Sequence, residues 1–213
     1  GYCRRYLRTE KQNIPIPSPK TFLQFFEDVK QSGDQLIYFC LSSALSGTYQ
    51  SAMFIREGAD YAGAYVVDSK NATGGQRMLV EHAVRLRDEG KTAKEIIDAT
   101  EALRSRIVLF ACIDTLEYLY RGGRISHTVY KLGTMAQVKP IIRFTPEGTI
   151  EVPAKAMGMR KGMDYLCKRV EAVAPSEAHN FYAMYTGDRS NGLALAEKFR
   201  AMGYDIPDEK VIN

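Results

Sequence analysis

Two short apolar runs do most to fix what this chain can fold into: LIYFCLS at 36–42 and AYVVDS at 64–69. Neither alternates with polar residues, so both read as strands covered on two faces. Each leads through a polar loop into a helical pattern, SGTYQSAMFIREGAD after the first, NATGGQ and then MLVEHAVRLRDEG after the second. Strand, helix, strand, helix predicts a parallel sheet with right-handed crossovers. Loops at the carboxyl ends of such strands gather on one rim, where ligands bind. Both hydroxyl-rich stretches, SSALSGT and DSKNATGG, fall on that rim.

The neighbouring segments extend the pattern. IPIPSPK at 14–20 is extended, because each proline pushes its predecessor out of the helical region. Ser18 is expected to cap a helix with Pro19 at its first position and FLQFFEDVK as its amphipathic face. Ser-Gly-Asp at 32–34 ends it. TAKEIIDATEALRSR is a further helix, with Thr92 and Glu95 spaced as a capping box. From about residue 105 the texture changes. RIVLFACID reads as a strand, TLEYLYRGGRIS as a short helix broken by two glycines, and VKPIIRFTPEGTIEVPAK as a strand pair turning at Pro-Glu-Gly. MRKGMDYLCKRVEAVA is a helix, HNFYAMYTG a strand, DRSNGLALAEKFRAMG a helix with Asp188 near its start, and EKVIN a strand beginning. The expected fold class is α/β with two α/β domains. Residues 1–104 hold a parallel sheet flanked by helices, and residues 105–213 a smaller mixed sheet. No Pro, Gly or Ser linker separates them, so they are expected to pack tightly. The chain stops at VIN, partway into a strand, and opens on a polar, irregular stretch; a piece of a longer protein is the expectation.

Composition excludes several function classes. The 213 residues are 45% hydrophobic, which suits a globular protein with a substantial core. Their net charge of +4 is spread along the chain, without the basic patch of a nucleic-acid binder. Cys3, Cys40, Cys112 and Cys167 form no CxxC pair, and Cys40 and Cys112 sit in apolar runs. They read as reduced, small hydrophobes of a cytoplasmic protein. His82, His127 and His179 show no metal-ligand spacing. No run approaches the length of a membrane span, so no stable membrane insertion is expected.

Three chemistries compete for the hydroxyl-rich loop. Ser46 as a nucleophile lacks the G-x-S-x-G elbow, and no histidine carries a triad signature. GGQR and RGGRIS match neither a P-loop nor a dinucleotide fingerprint. An anion cradle fits the residue types better: Ser43, Ser46 and Thr48 offer hydroxyls, Gly47 lets the backbone come close, and the following helix start offers N–H groups. Helix capping by Ser43 or Ser46 explains the same serines. In GGRIS at 122–126, the glycines can aim Arg124 inward, where its planar fork suits a carboxylate or phosphate. The alternative is a helix end at Gly122 or Gly123 with a surface arginine. Ser18, Asp68, Ser69 and Gly123 are secondary candidates.

In order and spacing, SSALSGTYQSA, VVDSKNATGG, LEYLYRGGRIS, the VKPII strand and GTIEVPAKAMGMRKG resemble the DegV family of bacterial proteins over nearly the whole chain. The resemblance implies a two-domain α/β protein that binds one long-chain fatty acid between its domains and is no enzyme by itself. It implies the lipid-binding subunit of a fatty acid kinase, presenting the carboxylate to a separate ATP-using subunit. The acyl-phosphate made there feeds phospholipid synthesis. No cofactor is implied beyond the bound fatty acid, and no nucleic-acid partner. By the same resemblance Ser46 hydrogen-bonds the carboxylate, Ser43, Gly47 and Thr48 complete the loop, and Arg124 lies near the carboxylate mouth. Two departures stand out. Ile14 occupies the place of a carboxylate-binding threonine, and the family's N-terminal D-S and C-terminal G-T-H-x-G-P-G segments are not in the sequence. A serine-dependent acyl hydrolase or transferase, or a degenerate member with an altered ligand, are the competing readings.

Overall fold

The computed structural model describes residues 19–59, 61–131, 137–176 and 181–213. Cys3, Ile14, Ser18 and His179 lie outside them, so the expected cap at Ser18 does too.

Helix α1, Pro19–Ser32, presents Phe22 and Phe26 one turn apart on one face, and both are buried. Phe22 meets the ring of Tyr38 edge-on, centroids 5.2 Å apart. With Cys40, Ala52, Ile55 and Ala64 they form the core of the first half, each phenylalanine contributing about 2–3 kcal/mol by burial. Strands β1, Leu36–Cys40, and β2, Ala64–Asp68, pair in parallel as expected. Their register sets Cys40 opposite Asp68, so both strands end at one level and their loops start side by side. Helices α2, Thr48–Ala59, α3, Thr73–Asp88, and α4, Ala93–Arg104, follow. The capping box of α4 forms as its spacing predicts. Thr92 Oγ1 accepts from the Glu95 N–H at 3.3 Å, and Glu95 Oε2 accepts from the Thr92 N–H at 2.8 Å.

One expectation shifts. Helix α3 starts at Thr73, which puts Gly74 and Gly75 in its first turn instead of the preceding loop. Close packing is the reason. A Cβ on Gly74 would lie 2.2 Å from Met184 Sδ, and one on Gly75 would lie 2.2 Å from Asn71 Oδ1.

The second half contains strands of both directions, divided between two sheets. β3, Phe110–Cys112, β4, Val138–Phe144, and β5, Ile150–Met157, form an antiparallel sheet in that order. β3 is shorter than the apolar run RIVLFACID suggests, because only three of its residues pair with β4. β6, Ala183–Met184, and β7, Val211–Ile212, form a parallel pair. Between them come helices α5, Glu117–Arg121, α6, His127–Lys131, α7, Gly158–Val173, and α8, Arg189–Ala201. Asp188 caps α8, its Oδ1 accepting from the Ser190 N–H at 2.9 Å. Successive residues of β4 serve opposite faces of the sheet. Ile141 joins Met163, Leu166, Phe199 and Ile206 under α7 and α8, while Ile142 joins Leu116 and Ile125 on the other side.

Among the described residues the halves meet at α3 and at the rim. At α3, Tyr182 donates its hydroxyl to Glu81, Arg77 lies over the Tyr182 ring, and Met184 rests on Gly74.

Candidate ligand-binding site

The loop leaving β1 folds back on Ser42. Its carbonyl accepts from the N–H groups of Leu45 (2.9 Å) and Ser46 (3.0 Å), which makes a tight turn of LSSALS. Ser42 is fully buried and its Oγ donates to the Gly148 carbonyl at 2.8 Å. Gly148 belongs to the β4–β5 turn, where its N–H closes on Thr145 O at 2.9 Å. Ser42 thus ties the first half to the second, a role that the paired serines of the sequence do not distinguish from ligand binding.

Ser43, the next residue, points its chemistry elsewhere. Its N–H donates to Asp68 Oδ1 at 3.1 Å, and its Oγ accepts from Lys70 Nζ at 3.3 Å. Asp68 ends β2 and is almost wholly buried. It also accepts from the Lys70 N–H on Oδ1 (3.0 Å) and pairs with Lys70 Nζ through Oδ2 (3.0 Å). Burial pushes the Asp68 carboxyl up, but the combined hydrogen bonds of Ser43 and Lys70 outweigh it and hold the group below the ordinary aspartate range. Arg104 Nη1 secures the Asp68 carbonyl at 2.7 Å. Ser69 is committed inside its own loop, donating to Asn71 O at 2.8 Å and accepting from the Asn71 N–H at 3.2 Å. It shapes the loop and has no hydroxyl to spare.

Ser46, Gly47 and Thr48 make the start of α2. The Ser46 and Thr48 hydroxyls share a hydrogen bond of 2.8 Å, and the Thr48 N–H donates to Ser46 Oγ at 3.3 Å. Ser46 therefore organises the helix start, as the capping alternative expects. The same bonds leave it able to donate its proton outward when Thr48 donates to it. Gly47 is exposed, and no described atom would come within 4 Å of a Cβ there, so the backbone stands open at this point.

GGRIS forms a helix end, as the second of its two sequence readings expects, and Arg124 is exposed. Gly122 is the C-cap of α5. Gly123 follows with φ +73°, its N–H donating to Tyr120 O at 2.8 Å while the Arg124 N–H donates to Leu119 O at 2.8 Å. That pair of bonds is the Schellman helix end. The Arg124 side chain then turns to the β1 loop, where Nε donates to Leu45 O at 2.9 Å, and Nη1 also reaches Gly122 O. So the second half delivers its arginine to the loop that carries Ser43 and Ser46, gripping backbone there.

Ser43, Ser46, Gly47, Thr48, Asp68 and Arg124 are brought to one rim. Reading the sequence missed Ser42, Lys70 and Gly148, which hold that rim together. Chemically, the arrangement offers hydroxyl donors, exposed backbone and one lysine beside a buried carboxylate. Such a set suits an anion with a modest demand for countercharge. Among the described residues the Ser46 hydroxyl is bonded to the hydroxyl and N–H of Thr48, and Cys40 at the end of β1 is pushed up to about 12 by burial, with Asp68 adding to it. Among the described residues no His, Cys, Asp and Glu group could hold a metal, and no helix is long and apolar enough to cross a membrane.

The chain as a whole is similar to known proteins. The model of a family of uncharacterised proteins, the DegV family, matches residues 6–210. A DegV domain-containing protein, YteA, from Lactococcus lactis is 36% identical over 70% of the chain and 53% of its own length. The chain thus spans about half the length of that relative. Among solved structures, a fatty-acid-binding DegV family protein from Thermus thermophilus superposes with a TM-score of 0.78. It is 30% identical, over 92% of this chain and 70% of that one. A stearic-acid-binding protein from Eubacterium ventriosum also superposes with a TM-score of 0.78, over 92% of this chain and 70% of that one. At 22% identity, that second likeness shows the shared α/β fold alone.

Proposed function

The chain belongs to the DegV family, and on that premise we propose that it binds one long-chain fatty acid at the rim described above. The observation that carries this reading is the likeness, at 30% identity, to the fatty-acid-binding protein of Thermus thermophilus. The chemistry of the rim supports it. A fatty acid joins a charged head to a tail whose methylenes are each worth about 0.8 kcal/mol when buried. The tail supplies the affinity; the head needs only donors that stabilise it without trapping it. The Ser43 and Ser46 hydroxyls, the backbone at Gly47 and the Arg124 guanidinium are the donors assigned to it, and Thr48 completes the loop. Ser46 is assigned the direct hydrogen bond to the carboxylate, with Thr48 donating to Ser46 behind it. Ser18, Asp68, Ser69 and Gly123 are assigned supporting places.

The ligand lies between two domains in this reading, residues 1–104 and 105–213, with the acyl tail in an apolar tunnel. The head is held at the mouth for a separate ATP-using kinase subunit, which makes the acyl-phosphate that enters phospholipid synthesis. The protein itself is a cytoplasmic carrier and performs no turnover. Organic extraction of the purified protein, with mass spectrometry of the extract, tests the core of this. A fatty acid at about one per chain is expected. A protein that is empty, and stays empty after incubation with fatty acids, would sink the carrier reading.

A further inference from the structure

Resting on the fatty-acid reading, we propose that Lys70 is the positioning residue of the head-group site. Its ammonium fixes the Ser43 hydroxyl as an outward donor and offsets Asp68, so the cradle accepts a carboxylate and discriminates against an uncharged head. The lone pairs of one oxygen set the direction of its proton. Ser43 Oγ accepts from Lys70 Nζ at 3.3 Å. An ammonium has donors only, so the serine must give its own proton to something else. Asp68 is one taker of that proton, since the Ser43 hydroxyl also bonds its carboxylate, and Lys70 weakens that claim by pairing with Asp68 Oδ2 at 3.0 Å. Without the ammonium, an ionised and nearly buried carboxylate would stand beside the incoming one. With it, the Asp68–Lys70 pair is neutral, and Ser43 is left as a donor without a net positive trap.

Backbone geometry points the same way. Lys70 has φ 51°, in the left-handed region that a lysine rarely adopts. The conformation is held from two sides. The Lys70 N–H donates to Asp68 Oδ1 at 3.0 Å, and Gly148 packs so closely on Lys70 that its Cβ position lies 3.0 Å from Lys70 Cα. This turn brings the side chain back across Asp68 to Ser43, which is 27 residues away in sequence. About a third of that side chain is exposed (34%), so Lys70 stands at the solvent edge of the rim.

The test compares palmitic acid with the alcohol of the same chain length, both as displacers of a fluorescent fatty acid. The wild-type protein is expected to bind the acid roughly tenfold or more tightly than the alcohol, the range of one charge-assisted contact near solvent. Lys70→Met should lose that preference by lowering acid affinity about tenfold, with alcohol affinity changed far less. Lys70→Arg should restore most of it. Lys70→Gln keeps a donor for Ser43 but no charge, and supplies the same ratio should the methionine variant unfold. A purely structural role for Lys70 would weaken acid and alcohol together. An unchanged acid-to-alcohol ratio in the folded variants overturns this proposal and leaves the carrier reading standing. A wild-type protein that binds neither compound overturns the carrier reading itself.

Discussion

Gly148→Ala probes the place where the β4–β5 turn seats on the rim loops. Gly148 has φ +83°, and a Cβ there would lie 2.2 Å from Ser42 Oγ, 3.0 Å from Lys70 Cα and 3.1 Å from Lys70 O. Two of those three atoms are backbone and cannot rotate aside. Holding alanine in the left-handed region costs about 1–2 kcal/mol. Displacing the Ser42 hydroxyl from the Gly148 carbonyl leaves a fully buried donor unpaired, a further cost of about 1–3 kcal/mol. The expected loss is therefore about 2–5 kcal/mol. Gly90→Ala is the control: its φ is +80°, yet no described atom lies within 4 Å of its Cβ position, so it should show the backbone strain alone. Urea unfolding of both variants, with fatty-acid affinity measured alongside, separates the two costs. If Gly148→Ala is no more destabilising than Gly90→Ala, the seam is not held by the Ser42 and Lys70 contacts of Gly148.

Further perturbations reach other parts of the molecule. Phe26→Ala removes a fully buried ring from the α1 core and should cost about 3–5 kcal/mol in urea unfolding. Thr92→Ala removes half of the α4 capping box and should cost about 1 kcal/mol, with ligand affinity unmoved. Ser46→Ala should lower fatty-acid retention, read by extraction, while circular dichroism stays that of the folded protein; full retention would remove Ser46 from the site. Asp68 is held below its ordinary value of about 4, so its contribution to stability is present above that pH and is lost as pH falls through its folded value. Cys40 is raised to about 12, so its contribution is intact below about 8.5 and fades as pH climbs towards that value. Urea midpoints across this range, with Asp68→Asn flattening the acidic limb, check both signs.

Much of the fold was legible because its signals are short. The apolar runs at 36–42 and 64–69 yield β1 and β2, and Thr92 with Glu95 builds the predicted cap within four residues. GGR ends its helix through bonds that span five residues at most, so two glycines suffice to announce it. The cluster of Ser43, Ser46, Gly47 and Thr48 was legible for the same reason, as hydroxyls placed where a parallel strand meets its helix. Which serine does what was not. Ser42 and Ser43 are adjacent and chemically identical, but the turn of the loop after β1 sends one to Gly148 and the other to Asp68 and Lys70.

The sequence by itself thus determined the α/β class, the parallel pairing, the start of α4, the end of α5 and the rim on which the polar residues gather. These follow from periodicity, propensity and hydrogen bonds between near neighbours. Tertiary structure alone decided the rest. Gly74 and Gly75 sit inside a helix because Met184 and Asn71 need the room, and Arg124 turns to a carbonyl 79 residues away. Ser42 is spent on a turn 106 residues downstream. No local rule encodes a partner at that distance; it is chosen when the two halves close and every buried donor must find an acceptor.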